Sequence, residues 1–193
     1  TDDYHPDIKA ASATMTTETL YEQLAIADIQ SAADAFASTY RQSNAETGYV
    51  SLEVSPHLAL DTEGTIAAAS RLWRAVDRPN VMIKIPGTRE GLPAIRKTIA
   101  AGINVNVTLI FSVARYREVF DAFADGLAAR NLVGEPIDKI ASVASFFISR
   151  IDTLVDERLE QRVAAGSHGA ASLCGKAAIA SAGSAIQAYR ERV

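Results

Sequence analysis

Residues 80–88 read Asn-Val-Met-Ile-Lys-Ile-Pro-Gly-Thr, an apolar run closed by Pro-Gly. Such a run predicts a strand buried on both faces, which is typical of a parallel sheet. Lys84 is the only lysine in it. An ammonium among apolar groups costs free energy unless it has a partner, and a neutral amine is the nucleophile that forms Schiff bases. The alternatives are that Lys84 reaches solvent from the strand end or pairs with a carboxylate.

Three other segments predict strands, at residues 49–54, 103–111 and 140–148. Helical spacing and capping residues predict helices before, between and after the strands. They lie at residues 16–40, capped by Thr16 or Thr17, at 61–76, opened by Asp61, at 88–102, after the cap Ser112, from Asp152 to about 163, and at 176–192. Residues 103–111 alternate most clearly. This alternation places two sets of side chains on opposite faces, Asn104, Asn106 and Thr108 on one and Val105, Val107 and Leu109 on the other.

The alternation of strands and helices predicts an α/β fold with a parallel sheet. A repeat of roughly 25 to 35 residues fits either a doubly wound sheet or part of a (β/α)8 barrel. The sequence contains no G-x-G-x-x-G after a strand and no G-x-x-x-x-G-K-S/T. The dinucleotide-binding and P-loop interpretations therefore lose their main marker.

Composition excludes several classes of function. The 193 residues are 48% hydrophobic and 22% charged, with a net charge of -4, which is unlike the basic surface of a nucleic-acid-binding protein. Apolar runs are too short for a membrane-spanning helix, and no signal peptide opens the chain. The single cysteine, Cys174, suits a reducing cytoplasm. The three histidines show no ligand spacing, so no metal site is expected.

Polar residues recur near the end of each predicted strand, which favours the barrel, where chemistry lies at the carboxyl ends of the strands. Glu53, Lys84, Asn106 and Thr108 belong to the first three strands, and residues 145–150 to the fourth. One buried Glu or Asn is more often a structural hydrogen-bonding group. Polar residues near the ends of four successive strands favour a functional site.

The residue types indicate a reaction. Lys84 can attack a ketone to give an iminium ion, an electron sink for breaking the adjacent carbon–carbon bond. Glu53 can move protons directly or through a water, and Thr108 can hold that water or a hydroxyl.

The remaining residues suit a phosphorylated polyol. Asn106 and Ser145 offer donors and acceptors to hydroxyl groups. Arg150 has the fork geometry that binds phosphate, and its alternative role is an ion pair with Asp152 or Asp156.

Four motifs in order resemble the transaldolase family, most of all its longer bacterial members, some of which are fused to phosphoglucose isomerase. They are VSLEVSP at 50–56, VMIKIPGTREG at 81–91, GINVNVTLIFS at 102–112 and ASFFISRID at 144–152. The segment GKAAIA at 175–180 resembles the helix that follows.

The resemblance implies a (β/α)8 barrel that transfers a dihydroxyacetone unit from a ketose phosphate, such as sedoheptulose 7-phosphate or fructose 6-phosphate, to an aldose phosphate. It implies no metal or organic cofactor. Neither nucleic acid nor a membrane is expected as a partner, because of the composition and the short apolar runs described above. It also implies a role for each site residue: Lys84 as the Schiff-base lysine, Glu53 for proton transfer, Thr108 for the catalytic water, Asn106 and Ser145 for substrate hydroxyls, and Arg150 for phosphate.

The family barrel has eight strands, and this chain is expected to hold about four central ones in a single, incomplete domain over residues 1–193. An aspartate on the first strand and an asparagine on the second have no counterpart here. The stretch alone is therefore expected to be inactive and poorly stable, because a half barrel leaves unpaired strand edges. Two alternatives stay open: an aldolase that uses the same lysine without an acceptor, and a catalytically silent fragment.

Overall fold

The computed structural model describes residues 2–11 and 15–192 of the chain. Within these residues, four parallel strands form one sheet in sequential order. They are β1 (Val50–Glu53), β2 (Val81–Pro86), β3 (Val105–Ile110) and β4 (Ser142–Phe146). All four lie inside the segments that the sequence predicts.

Helices alternate with the strands. They are α1 (His5–Ala10), α2 (Thr17–Gln42), α3 (Thr62–Val76), α4 (Gly91–Ala100), α5 (Val113–Leu132), α6 (Ser149–Ala164) and α7 (Ala177–Arg190), with 3-10 turns at Asp2–Tyr4, Pro56–Leu58 and His168–Leu173. The predicted caps are confirmed, because the side chains of Thr16, Asp61 and Ser112 each accept a backbone N–H from the first turn of α2, α3 and α5.

The order of the strands decides between the two predicted architectures. Helices α2, α3, α4 and α5 each pack against the next and against the sheet, so they cover the same face. A doubly wound sheet would reverse its strand order and carry helices on both faces. Sequential order with helices on one face is the arrangement of part of a (β/α)8 barrel.

The hydrophobic core lies between this face of the sheet and the helices. Ile83, Ile85 and Val107 are completely buried there, in one cluster with Leu72 of α3 and Ile95 of α4. Burial of such side chains contributes roughly 1.5–3 kcal/mol each. The residues that alternate with these core residues along β2 and β3 project from the opposite face of the sheet. Lys84 and Asn106 are among them.

Two buried asparagines fix the amino ends of the strands. The Asn80 side chain, 1% exposed, donates to the backbone oxygens of Ala33 and Gly48, at 2.8 and 3.0 Å. The Asn104 side chain donates to the oxygens of Pro79 and Val81, and accepts the Ala141 N–H at 2.9 Å. Asn104 is thus a structural residue, although alternation places it on the same face as Asn106.

The alternation predicted for β3 fails at Leu109. The register between β3 and β4 shifts from Val107 opposite Ala144 to Ile110 opposite Phe146, so β3 has one extra residue. Leu109 occupies this bulge with φ 59°, in the left-handed region, and is 38% exposed. The sequence predicts that Leu109 lies on the same face as Val105 and Val107. This prediction is wrong, because Leu109 does not enter the core with them.

The region after β4 also differs from its prediction. Helix α6 begins at Ser149, three residues before the predicted start at Asp152. The Asp152 carboxylate does not cap its own helix, because it accepts the backbone N–H of Ala178 in α7 at 2.9 Å. Between α6 and α7 the chain forms the 3-10 turn His168–Leu173.

No helix in the part of the chain that the structure describes is both long and apolar enough to cross a membrane.

Candidate active site

Three candidate residues lie level with one another across adjacent strands. Glu53 on β1 is the register partner of Lys84 on β2, and Lys84 is the partner of Asn106 on β3. In-register residues of parallel strands project from the same face, so their side chains are neighbours. They lie on the face opposite the helical core.

The strands are staggered rather than aligned at their ends. Glu53 is the last residue of β1, whereas Asn106 is only the second residue of β3. The prediction that Asn106 lies near the end of its strand is therefore wrong. The stagger, which barrel closure requires, brings Asn106 level with the end of β1.

Lys84 and Glu53 form an ion pair. Lys84 Nζ lies 2.9 Å from Glu53 Oε2, and the two side chains are 29% and 48% exposed. The amine of Lys84 is thus partly exposed and has a partner. Of the alternatives that the sequence left open, the structure shows the one in which Lys84 pairs with a carboxylate. The same geometry places a carboxylate within proton-transfer distance of the amine.

Asn106 is held by hydroxyl groups at both ends of its side-chain amide. Its Nδ2 donates to Ser51 Oγ at 3.1 Å, and its Oδ1 accepts the Ser145 hydroxyl at 2.8 Å. These residues come from β1, β3 and β4. The structure thus brings Asn106 and Ser145 together, beside the Lys84 and Glu53 pair.

Thr108 lies two residues beyond Asn106, opposite Pro86 of β2. The Thr108 side chain is buried, with 3% of the residue exposed. Its backbone oxygen accepts the Gly87 N–H at 2.7 Å, which ties the end of β2 to β3. Alternation places Thr108 on the face of Asn106, immediately before the bulge at Leu109.

Arg150 lies in the first turn of α6 and not on β4. It is exposed, and its guanidinium carbon lies 4.7 Å from the centre of the Phe147 ring, a cation–π contact. Phe147 in turn stacks on Phe111 with ring centres 5.0 Å apart.

The predicted alternative for Arg150, an ion pair with Asp152 or Asp156, is absent from the described residues. Asp156 accepts the Gly175 N–H with both carboxylate oxygens, at 3.0 Å, and Asp152 accepts the Ala178 N–H. Both acids fix the start of α7, which leaves the fork of Arg150 directed to no carboxylate in the part of the chain described.

Sequence reasoning missed Ser51 and Phe147. Ser51 stands two residues before Glu53, so alternation along β1 could have placed it on the same face. Phe147 follows β4 directly, but only the packed structure shows that Arg150 covers it. Among the described residues, no group of three or more His, Cys, Asp or Glu side chains could hold a metal ion.

Comparisons with known proteins identify the family of the chain. The family model described as Transaldolase/Fructose-6-phosphate aldolase matches residues 1–192. A transaldolase of Saccharopolyspora erythraea is 50% identical over 190 residues, which are 98% of this chain and 50% of that protein. A transaldolase of Mycobacterium bovis is 48% identical over 185 residues, 96% of this chain and 46% of its own. Transaldolase 1 of Streptomyces avermitilis is 50% identical over 177 residues, which are 92% of this chain and 46% of that protein.

The chain spans about half the length of the curated relatives that it matches. The match nevertheless covers nearly the whole of this chain and includes all four strands with the candidate residues on them. The chain therefore belongs to the transaldolase/fructose-6-phosphate aldolase family.

Proposed function

We propose that the intact protein containing this chain is a transaldolase. It would transfer a dihydroxyacetone unit from sedoheptulose 7-phosphate or fructose 6-phosphate to an aldose phosphate such as glyceraldehyde 3-phosphate. The observation that carries this proposal is the 2.9 Å contact between Lys84 Nζ and Glu53 Oε2, level with Asn106. The names of the relatives support it.

The reaction begins when the Lys84 amine, after losing a proton to Glu53, attacks the donor ketone. Loss of water gives an iminium, and the bond between the third and fourth carbons then breaks. Glu53 returns its proton to the departing water and is again a carboxylate. As the aldehyde forms, the proton of the hydroxyl on the fourth carbon passes to Glu53, and the electron pair of the broken bond passes to the iminium, which becomes an enamine. The enamine adds to the acceptor aldehyde, and water releases the product from Lys84.

The other residues have supporting roles in this proposal. Thr108 positions the water through which Glu53 moves protons. Asn106 and Ser145 bind substrate hydroxyls, and Arg150 binds the phosphate with two parallel N–H donors. No metal or organic cofactor is needed, because the iminium is the electron sink. We also propose a cytoplasmic location, and a single barrel domain to which residues 1–193 contribute.

Borohydride trapping tests the proposal. Incubation of the intact protein with fructose 6-phosphate and borohydride should add the mass of a reduced dihydroxyacetone unit to the peptide that contains Lys84. Lys84→Arg should abolish the adduct. Lys97→Arg is the matched control, since Lys97 forms a similar 2.8 Å ion pair with Glu63 on the outer helices. Absence of an adduct in the unmodified protein would argue for the catalytically silent alternative.

A second candidate is the aldolase activity that the family description also names. An aldolase releases glyceraldehyde 3-phosphate from fructose 6-phosphate continuously without an acceptor. A transaldolase stops after about one equivalent per site until an acceptor aldehyde is added. Measuring product release with and without the acceptor separates the two activities.

A further inference from the structure

We propose that Ser51 is a positioning residue that holds the Asn106 side-chain amide in the active site. This inference rests on the proposed function, because it assigns Ser51 a role through a substrate-binding residue. Ser51 has no place in the proton transfers described above. Its hydroxyl oxygen is the acceptor for Asn106 Nδ2 at 3.1 Å.

The hydrogen bond crosses an intervening strand. Ser51 lies on β1 and Asn106 on β3, with β2 between them. Strands two positions apart are separated by roughly 10 Å in a flat sheet, too far for a serine and an asparagine to meet. The contact requires a concave face, so the curvature of the sheet brings Ser51 to Asn106. Ser51 is the register partner of Met82 on β2, and Asn106 is the register partner of Lys84 on β2. The hydrogen bond therefore passes over β2 between the positions of Met82 and Lys84.

Two tethers hold the amide more firmly than one. The terminal torsion of an asparagine side chain has a broad energy minimum, so a single hydrogen bond leaves the amide plane free to swing. Ser51 on one side and Ser145 on the other fix that plane. One N–H and one lone pair of the amide then remain for substrate. Loss of the Ser51 hydroxyl leaves Ser145 as the sole tether.

A double-mutant cycle in the intact protein tests this role. Ser51→Ala should lower kcat/KM by about 3- to 10-fold, the effect of one lost hydrogen bond. Ser51→Thr keeps the hydroxyl on a β-branched residue that suits a strand, and should restore kcat/KM to within about twofold. In an Asn106→Ala background, Ser51→Ala should cause no further loss. Equal losses in both backgrounds would overturn the proposal, because Ser51 would then act independently of Asn106.

A second measurement does not depend on activity. With ¹⁵N-labelled asparagine, the side-chain NH₂ signal of Asn106, assigned by its loss in Asn106→Ala, reports the order of the amide. Ser51→Ala should lower that order and Ser51→Thr should restore it. An unchanged signal in Ser51→Ala would overturn the tether. A failure of Lys84 trapping in the unmodified protein would count against the proposed function alone, and the NMR signal would still decide whether Ser51 fixes Asn106.

Discussion

At the scale of single residues, the two faces of β2 explain how a lysine fits into an apolar strand. Ile83 and Ile85 point into the core and are fully buried, whereas Lys84 projects from the other face and meets Glu53. A partly exposed ion pair avoids most of the desolvation cost of a buried one. The charge on Lys84 is thus compatible with the strand because, within the described residues, helices cover the other face of β2.

Glu53 is predicted to act in proton transfer as well as in pairing. Glu53→Gln in the intact protein should lower kcat by roughly 100-fold or more, the usual contribution of a general acid or base. The control is Glu63→Gln, which removes a carboxylate from a lysine pair on the outer helices and should leave kcat unchanged. Steady-state kinetics of the two variants check this prediction. An equal and small effect of both would assign Glu53 a purely electrostatic role.

Tyr49 gives a pH-dependent prediction. Burial, followed by the neighbouring Tyr40, raises the pKa of the Tyr49 phenol to about 12, and its hydroxyl donates to the Ala45 oxygen at 2.8 Å. Because folding raises this pKa, the phenol contributes to the stability of the native state. The contribution is complete at pH values below the unfolded pKa of about 10, and it is lost as the pH rises toward 12.

Tyr49→Phe should therefore be less stable than the unmodified protein at pH 8. The difference should shrink between pH 10 and 12. Urea midpoints across this range measure it, with Tyr21→Phe as the control because Tyr21 is 73% exposed. A difference that stays constant to pH 12 would contradict the assigned pKa.

At the scale of secondary-structure elements, local sequence predicts where the elements lie and tertiary contacts set their details. The caps Thr16, Asp61 and Ser112 act as the sequence predicts, because capping needs only residues within one turn. The bulge at Leu109 forms against β4, and Asp152 contacts α7 instead of capping α6, so both features involve partners distant in sequence. Periodicity alone contains no information about these contacts.

Asn104 and Asn106 should separate in a stability measurement. Asn104→Ala removes three hydrogen bonds to backbone groups, one of them buried and two partly buried, and should lower the free energy of unfolding by about 2–4 kcal/mol. Asn106→Ala breaks bonds to two partly exposed serines, and should cost about 1 kcal/mol. Urea unfolding of the intact variants tests this order. A larger loss for Asn106→Ala would reverse the structural and functional assignments.

When the whole sheet is considered, it has two open edges in the part of the chain that the structure describes, each formed by one strand. These are β1 and β4, at the two ends of the strand order. An open groove of about 620 Å³ lies beside β1, between this strand and α2, and Glu53 lines it. Unpaired edges are places where another strand pairs, as barrel closure requires.

Residues 1–193 produced alone are expected to be inactive and poorly stable. The unpaired edges and the exposed concave face leave apolar and backbone polar groups without partners. The activity assay with acceptor and a thermal melt of this fragment, compared with the intact protein, measure both properties. Robust turnover by the fragment would contradict the prediction and the need for further strands.

Sequence alone predicts the four strands, the helices around them, the capping residues and the family, because each depends on local pattern or on motifs in fixed order. It also identified Lys84, Glu53, Asn106, Thr108, Ser145 and Arg150 as candidates. The folded structure was needed to show that Lys84 pairs with Glu53, that Asn104 is structural, and that Ser51 reaches Asn106 across β2. The physical reason is that strand stagger and sheet curvature set which side chains meet, and both arise from packing between segments far apart in the chain.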